Sequence, residues 1–293
     1  MSNCLFLELK SATKVPINVR GVLPEKVTDL SQREIADLPI WYGKRQLPLG
    51  DLFCVSSGES VPIVEFEEDP LAQIIWKGDL GSVHWLGADM QSGQMLVEGD
   101  AGRHLGSQMS GGRISVRGSV SDWAGCEMSG GRILISKNAG DWLGAAYPGS
   151  KVGTNRGTIA VGGDAGNGVG FSMRRGWISV AGSVQRLAGW NVLAGTIVVG
   201  HAIGPMAGKG MVRGSLILPS VDYAIQNRAA LPPSFSPGLV LDQPVIALAR
   251  KWLRRTGFEI PAGREFQMFH GDQLTGGRGE VLIATDTKNV NQA

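Results

Sequence analysis

No apolar run in the 293-residue sequence is long enough to cross a bilayer as a helix, which argues against an integral membrane helix. Cysteine is scarce. Cys4, Cys54 and Cys126 lie far apart with no CxxC pair, which excludes a disulfide scaffold and a cysteine zinc site and fits a reduced compartment. Charge of either sign is not in excess: the net balance is +2, so composition makes no case for nucleic acid or an anionic membrane surface. The four histidines, His84, His104, His201 and His270, show neither HxH nor HExxH spacing, so no metal site is expected. The start, MSNCLFLELKSATK, has a short apolar run with no basic region before it and does not read as a signal peptide; a cytoplasmic protein is the expectation.

What the chain has in excess is glycine, 43 residues, about twice ordinary usage. It recurs at spacings other than three, against collagen, and it is mixed with Ile, Val and Trp, against disorder. Met-Ser-Gly-Gly-Arg-Ile occurs twice, at Met109–Ile114 and Met128–Ile133, 19 residues apart. The same step aligns blocks opening at Met95, Ile114, Ile133, Ile159, Ile178, Ile197 and Leu216, with one block of 26 residues that carries YPGSKVGTNRG. A further block, two residues longer, runs from Ile74 to Gln94.

Within a block, positions 1 and 3 are Ile- or Val-like, as in Ile114 and Val116, with a variable residue between: a short strand with one buried face. Position 5 is usually Gly and position 6 a short polar residue, as in Gly99-Asp100 and Gly163-Asp164, which is corner chemistry. Position 12 is Gly in every block from Gly87 to Gly208, and position 18 again from Gly93 to Gly214. Helices here would carry several glycines each at about 1 kcal/mol apiece, so helical repeats are excluded. The pattern predicts an all-β fold, a parallel β-helix of about seven 19-residue coils over residues 74–218, in preference to a β-sandwich.

The flanks differ. Residues 1–73 read as a small α+β cap, with a short helix at LSQREIADL where Ser31 and Glu34 have capping-box spacing. Residues 219–293 read as a proline-rich strap, an amphipathic helix over 243–256 and a tail ending in a strand.

Candidate chemistry is thin. GGDAGNGVG at Gly162–Gly170 imitates a phosphate loop but is followed by another coil, not the helix whose N-terminus binds phosphate, so it reads as a corner. Asp122 and Asp141 hold the same place in adjacent coils, about 5 Å apart, as a retaining glycosidase pair or a metal site would. The plainer interpretation makes each a polar turn residue before Trp123 and Trp142. Trp85, His104, Trp123 and Trp142 form a ladder at position 10, either core or interface. Arg113 and Arg132 stack and repel unless something lies between them. The basic end of the late helix, Arg250, Lys251, Arg254 and Arg255, reads as a solvated face or as a contact with another subunit.

The run of glycine-cornered coils resembles the carboxy-terminal β-helix of glutamate synthase and, more closely, the C subunit of formylmethanofuran dehydrogenase. Two flanking segments carry the second likeness: VRGVLPEKVTDLSQREIADLPIWYGKRQLPLGDLFCVSSG before the coils and HGDQLTGGRGEVL after them. The latter is similar to the tail of the bacterial relatives, the formyltransferase/hydrolase complexes of methylotrophs. The resemblance implies a right-handed β-helix inside a larger assembly. Its expected partners are an amidohydrolase-like subunit with a metal site, a dehydrogenase-related subunit, and a formyltransferase subunit. It implies transfer of formyl from formyl-tetrahydromethanopterin to a methanofuran-type carrier and hydrolysis to formate, with carrier, pterin and metal centre held by the partners. On this chain it implies no catalytic, cofactor-binding or metal residue. Two rivals are kept: the C subunit of an archaeal molybdenum or tungsten formylmethanofuran dehydrogenase, and a free-standing β-helix carbohydrate enzyme using Asp122 and Asp141. A left-handed β-helix acyltransferase is set aside, because glycine spacings of four and six do not keep a hexapeptide period.

Overall fold

The computed structural model describes residues 3–59, 73–241 and 265–285, together with 246, 247 and 250. The first part of the chain forms β1 (Asn3–Leu9), β2 (Ile17–Asn18), helices α1 (Pro24–Val27) and α2 (Gln32–Ala36), β3 (Pro39–Tyr42), β4 (Arg45–Pro48), α3 (Leu49–Leu52) and β5 (Phe53–Glu59). The repeats supply β6 (Ile74–Lys77), β7 (Val83–His84), β8 (Gln94–Glu98), β9 (Arg113–Val116), β10 (Arg132–Ile135), β11 (Asn155–Val161), β12 (Arg175–Val180), β13 (Thr196–Val199) and β14 (Arg213–Leu218). Helix α4 (Ala224–Ala229) and strands β15 (Ser236–Leu241), β16 (Phe266–Gly271) and β17 (Arg278–Ala284) follow.

The fold is mostly strands, gathered into one large sheet in which β6 and β8 to β14 lie parallel in chain order. Their register places identical repeat positions side by side. One ladder runs Leu5, Ile74, Met95, Ile114, Ile133, Ile159, Ile178, Ile197, Leu216 and Val281. A second, of single bridges, joins Leu80, Ala101, Val120, Ala139, Ala165, Val184 and Ile203 at position 7. Both ladders are buried, and with Leu86, Leu105 and Leu143 at position 11 they belong to one continuous core. Each fully buried Ile or Leu contributes about 1.5–3 kcal/mol, so the core stabilises the fold repeat by repeat.

The Met-Ser-Gly-Gly motif has a clear packing cause. Met90, Met109 and Met128 fill the inner side of one corner and are fully buried. The first glycine lies on the preceding repeat: a Cβ on Gly130 would sit 2.1 Å from the Ser110 carbonyl oxygen. The second, Gly131, adopts φ +83, and a Cβ there would meet the methyl of Met109 at 2.6 Å. Neither position has room for any other residue.

Both ends of the stack are closed by chain that lacks the repeat. At the start, β1 pairs in parallel with β6 and β2 with β7, while β5 covers β1 in antiparallel fashion. The expected capping box on α2 is present, with Ser31 and Glu34 exchanging hydrogen bonds. At the other end β17 pairs with β14, and β15 and β16 continue antiparallel. Two buried polar side chains there replace a missing repeat. Asn227 Oδ1 accepts from Ile203 N at 2.9 Å, and Asp272 Oδ2 accepts from Gly210 N at 3.0 Å. The expected helix over 243–256 falls mainly outside the described residues. Within that span residues 246, 247 and 250 are helical, and Ile246 is buried among Trp177, Val198, Ile217 and Phe266.

Candidate functional site

Position 10 is left-handed from the first repeat to the fourth: φ is +66 at Trp85, +64 at His104, +67 at Trp123 and +63 at Trp142. That conformation, unfavourable for bulky L-residues, turns the side chain outward while its neighbour at position 11 points into the core. The ladder is therefore half-buried on the surface and not part of the core. Its rings stack on one another. Trp85 and His104 lie 4.1 Å apart at 12°, and Trp123 and Trp142 5.4 Å apart at 16°. The column stops after Trp142 because position 10 of the next repeat is Gly168, where a Cβ would come within 2.4 Å of the Trp142 ring. Phe171 and Trp190 pack beside Trp142 instead.

Two segments outside the regular repeat lock this surface. The 26-residue block folds Tyr147 back over Trp123, with centroids 5.3 Å apart, and its hydroxyl lies 2.7 Å from both His104 Nδ1 and Ser107 Oγ. From the N-terminal segment, Arg20 lies over the Trp85 ring at 4.9 Å and donates to both carboxylate oxygens of Asp89, at 2.6 and 3.0 Å. A rail of position-14 side chains connects the two: Arg20 also donates to Gln108, Gln108 donates to Glu127, and Glu127 accepts from the backbone N–H of Tyr147. Burial holds the His104 imidazole down to about 4, with the charges of His84 and Arg103 acting the same way. Burial also raises the Tyr147 phenol well above its ordinary range. The ring faces are occupied by each other, by Tyr147 and by Arg20, and the ring edges point outward. A sugar stacks on open ring faces; this surface offers edges and fixed polar groups, which suits a protein partner.

The predicted acids are placed side by side and are committed to the stack. Asp122 Oδ1 accepts from Asp141 N at 3.1 Å, and Asp141 Oδ1 accepts from Asn167 N at 2.7 Å. The other oxygen of Asp122 faces Arg103 at 3.4 Å. The same device repeats at position 6, where Asp100 bonds to Ser119 N and Asp164 to Ser183 N, both at 2.7 Å. These carboxylates tie one repeat to the next. Gly162–Gly170 is a corner: Gly166 lies on Gly140 and Asp141, and Gly170 on Ile197.

Of the histidines, His84 Nδ1 accepts from Arg103 N at 2.8 Å, while His201 and His270 are exposed elsewhere. No group of three or more His, Cys, Asp or Glu among the described residues is placed to hold a metal, and no described helix is long and apolar enough to cross a membrane. Arg113 and Arg132 are register partners on β9 and β10, both half-buried and both with interaction partners. In the basic cluster of the late helix, Lys251, Arg254 and Arg255 lie outside the described residues. Sequence reasoning missed Arg20, Gln108, Glu127 and Tyr147; the one available signal was that Tyr147 lies in the single block that breaks the 19-residue step.

No protein-family model matches the chain. Among curated proteins it is 30% identical over 103 residues to the C subunit of a tungsten-containing formylmethanofuran dehydrogenase of Methanococcus maripaludis, 35% of each chain. It is 36% identical over 96 residues to the molybdenum-containing counterpart of Methanothermobacter marburgensis, 33% of this chain and 22% of that one. Among solved structures, a chain of the formyltransferase/hydrolase complex of Methylorubrum extorquens, in complex with methylofuran, superimposes with a TM-score of 0.81 at 30% identity. That match covers 96% of this chain and 100% of the other. The chain belongs to the family of that formyltransferase/hydrolase complex chain, and its repeats are similar to formylmethanofuran dehydrogenase C subunits. Within that family it spans about a third of the length of the curated relatives it matches first. The ladder, rail and Tyr147 clamp are thus features of a member of that family.

Proposed function

We propose that this C subunit is the non-catalytic structural member of a formyltransferase/hydrolase complex. The complex moves formyl from formyl-tetrahydromethanopterin to a methanofuran-type carrier and hydrolyses it to formate. In this account the stacked repeats form a right-handed parallel β-helix in the cytoplasm. Its outer faces bind the amidohydrolase-like, dehydrogenase-related and formyltransferase partners. The carrier, the pterin and the metal centre reside on those partners. The observation that carries the proposal is the match along the whole length of a chain taken from such a complex. The local chemistry supports it: the acids the repeats bring together are consumed in inter-repeat hydrogen bonds, and the aromatic ladder presents a rigid, half-exposed surface.

A second proposal is favoured by the curated matches, which are subunits of tungsten and molybdenum formylmethanofuran dehydrogenases. Purification from native cells through a tag on this chain separates the two. The hydrolase account expects co-eluting formyltransferase activity without tungsten or molybdenum. Either metal in stoichiometric amount supports the dehydrogenase account, and a chain that elutes alone contradicts both.

A further inference from the structure

Charge is unevenly distributed along the repeats. Residues 151–218 contain seven Lys and Arg against the single acid Asp164. Three of these, Arg156, Arg175 and Arg213, share one corner of the stack with Arg278 of β17. Arg213 and Arg278 are register partners on adjacent parallel strands. Arg175 opens β12 opposite Asn155, and a Cβ on the next residue, Gly176, would lie 3.0 Å from the backbone of Arg156. Arg175 and Arg213 are two 19-residue steps apart, with Ala194 between them. Arg174 flanks the column, and all five arginines are exposed.

These arginines differ from the paired basic residues of the earlier repeats. The ion pairs among the described residues join Arg20 to Asp89, Lys77 and Arg117 to Glu98, and Arg103 to Asp122, all in the earlier repeats. Arg113 and Arg132, on the earlier strands, have interaction partners. The later column has no ion pair among the described residues. With strands about 4.8 Å apart, its four members fall within about 20 Å. Like charges in register repel across a sheet, and at physiological salt that repulsion is largely screened only beyond about 8 Å. A merely solvated basic edge is well served by lysine. Arginine is the residue whose planar fork pairs with carboxylates, and it is enriched at interfaces where lysine is depleted.

We infer that the Arg156, Arg175, Arg213 and Arg278 column is the docking surface for a partner protein that presents a row of carboxylates. The inference rests on the reading of this chain as part of an assembly. Its test is the complex purified from native cells through a tag on this chain, as wild type, as Arg175→Glu/Arg213→Glu, and as the control Lys137→Glu on another face. The expected result is that one co-purifying chain, identified by mass spectrometry, is retained at least about tenfold less by the double variant. The control retains it, and the wild type releases the same chain as salt is raised. If the double variant does not fold, the salt titration of the wild type decides alone. Retention of every partner by the double variant, or loss only of bound nucleic acid, overturns the inference and leaves the scaffold proposal intact. A wild-type chain that elutes without partners overturns both.

Discussion

Gly125→Ala probes the inner packing of the repeats most directly. Gly125 adopts φ +62, and a Cβ there would fall 2.5 Å from Ile159 Cδ1 and 3.3 Å from Ile133 Cδ1. Two costs add. A left-handed L-residue is strained by about 1–2 kcal/mol, and overpacking a filled core costs about 1–3 kcal/mol. The smaller entropy of the unfolded alanine chain returns about 0.4–1 kcal/mol, for a net loss of about 1–4.5 kcal/mol. At this chain length that corresponds to a midpoint lowered by roughly 2–7 °C. Gly149→Ala supplies the reference. Gly149 has φ +88 with nothing within 4 Å of the added carbon, so only strain applies, about 1 kcal/mol or less after the entropic return. Both variants are measured by reversible urea denaturation followed by circular dichroism. Ile159→Val removes the offending Cδ1, so the Gly125→Ala/Ile159→Val double variant is expected to recover about 1 kcal/mol beyond additivity. If Gly125→Ala and Gly149→Ala lose the same stability and the cycle shows no coupling, the inward packing of position 12 against the Ile ladder is wrong.

Other consequences are equally open to measurement. Asp122→Asn keeps an acceptor for the N–H of Asp141 and loses only the half-exposed pair with Arg103, so stability should change by less than about 1 kcal/mol and the purified complex should keep its activity. Abolished activity would instead place a working acid on this chain. Asn227→Leu strands the buried Ile203 N, at about 1–3 kcal/mol, and hydrogen exchange should quicken first in residues 196–218. His104 has a folded-state pKa of about 4, below its ordinary 6.5. Unfolding therefore takes up a proton between those values, and stability present above pH 6.5 is lost as pH falls toward 4. His104→Asn, which tolerates the left-handed backbone, should remove that one-proton slope; an unchanged pH profile would contradict the buried, Tyr147-bonded placement.

The repeat itself was legible residue by residue. Ile114, Ile133, Ile159, Ile178 and Ile197 pair in the register that the 19-residue step requires, across the 26-residue block as well. The corner glycines were readable because close approach and positive φ leave no other residue there. The orientation of Trp85, His104, Trp123 and Trp142 was not, since no propensity rule places an aromatic side chain in a left-handed turn. A cap over the first repeat was expected, but the strand pairings that close the ends were hidden for a different reason. β1 joins β6 across a long interval, and β17 joins β14 after a 59-residue excursion (218 to 278, exclusive), so neither pairing leaves a local period in the sequence. The clamp of Tyr147 on Ser107 and His104 is likewise long-range, and only the departure from the 19-residue step marked the place.

The central claim is that this chain is a scaffold within an assembly. Native mass spectrometry of the material purified through a tag on this chain tests it most directly. The account predicts a hetero-oligomer of four kinds of chain, from which this one is released intact by raised salt or activation. A species with the mass of this chain alone, carrying activity of its own, would contradict it.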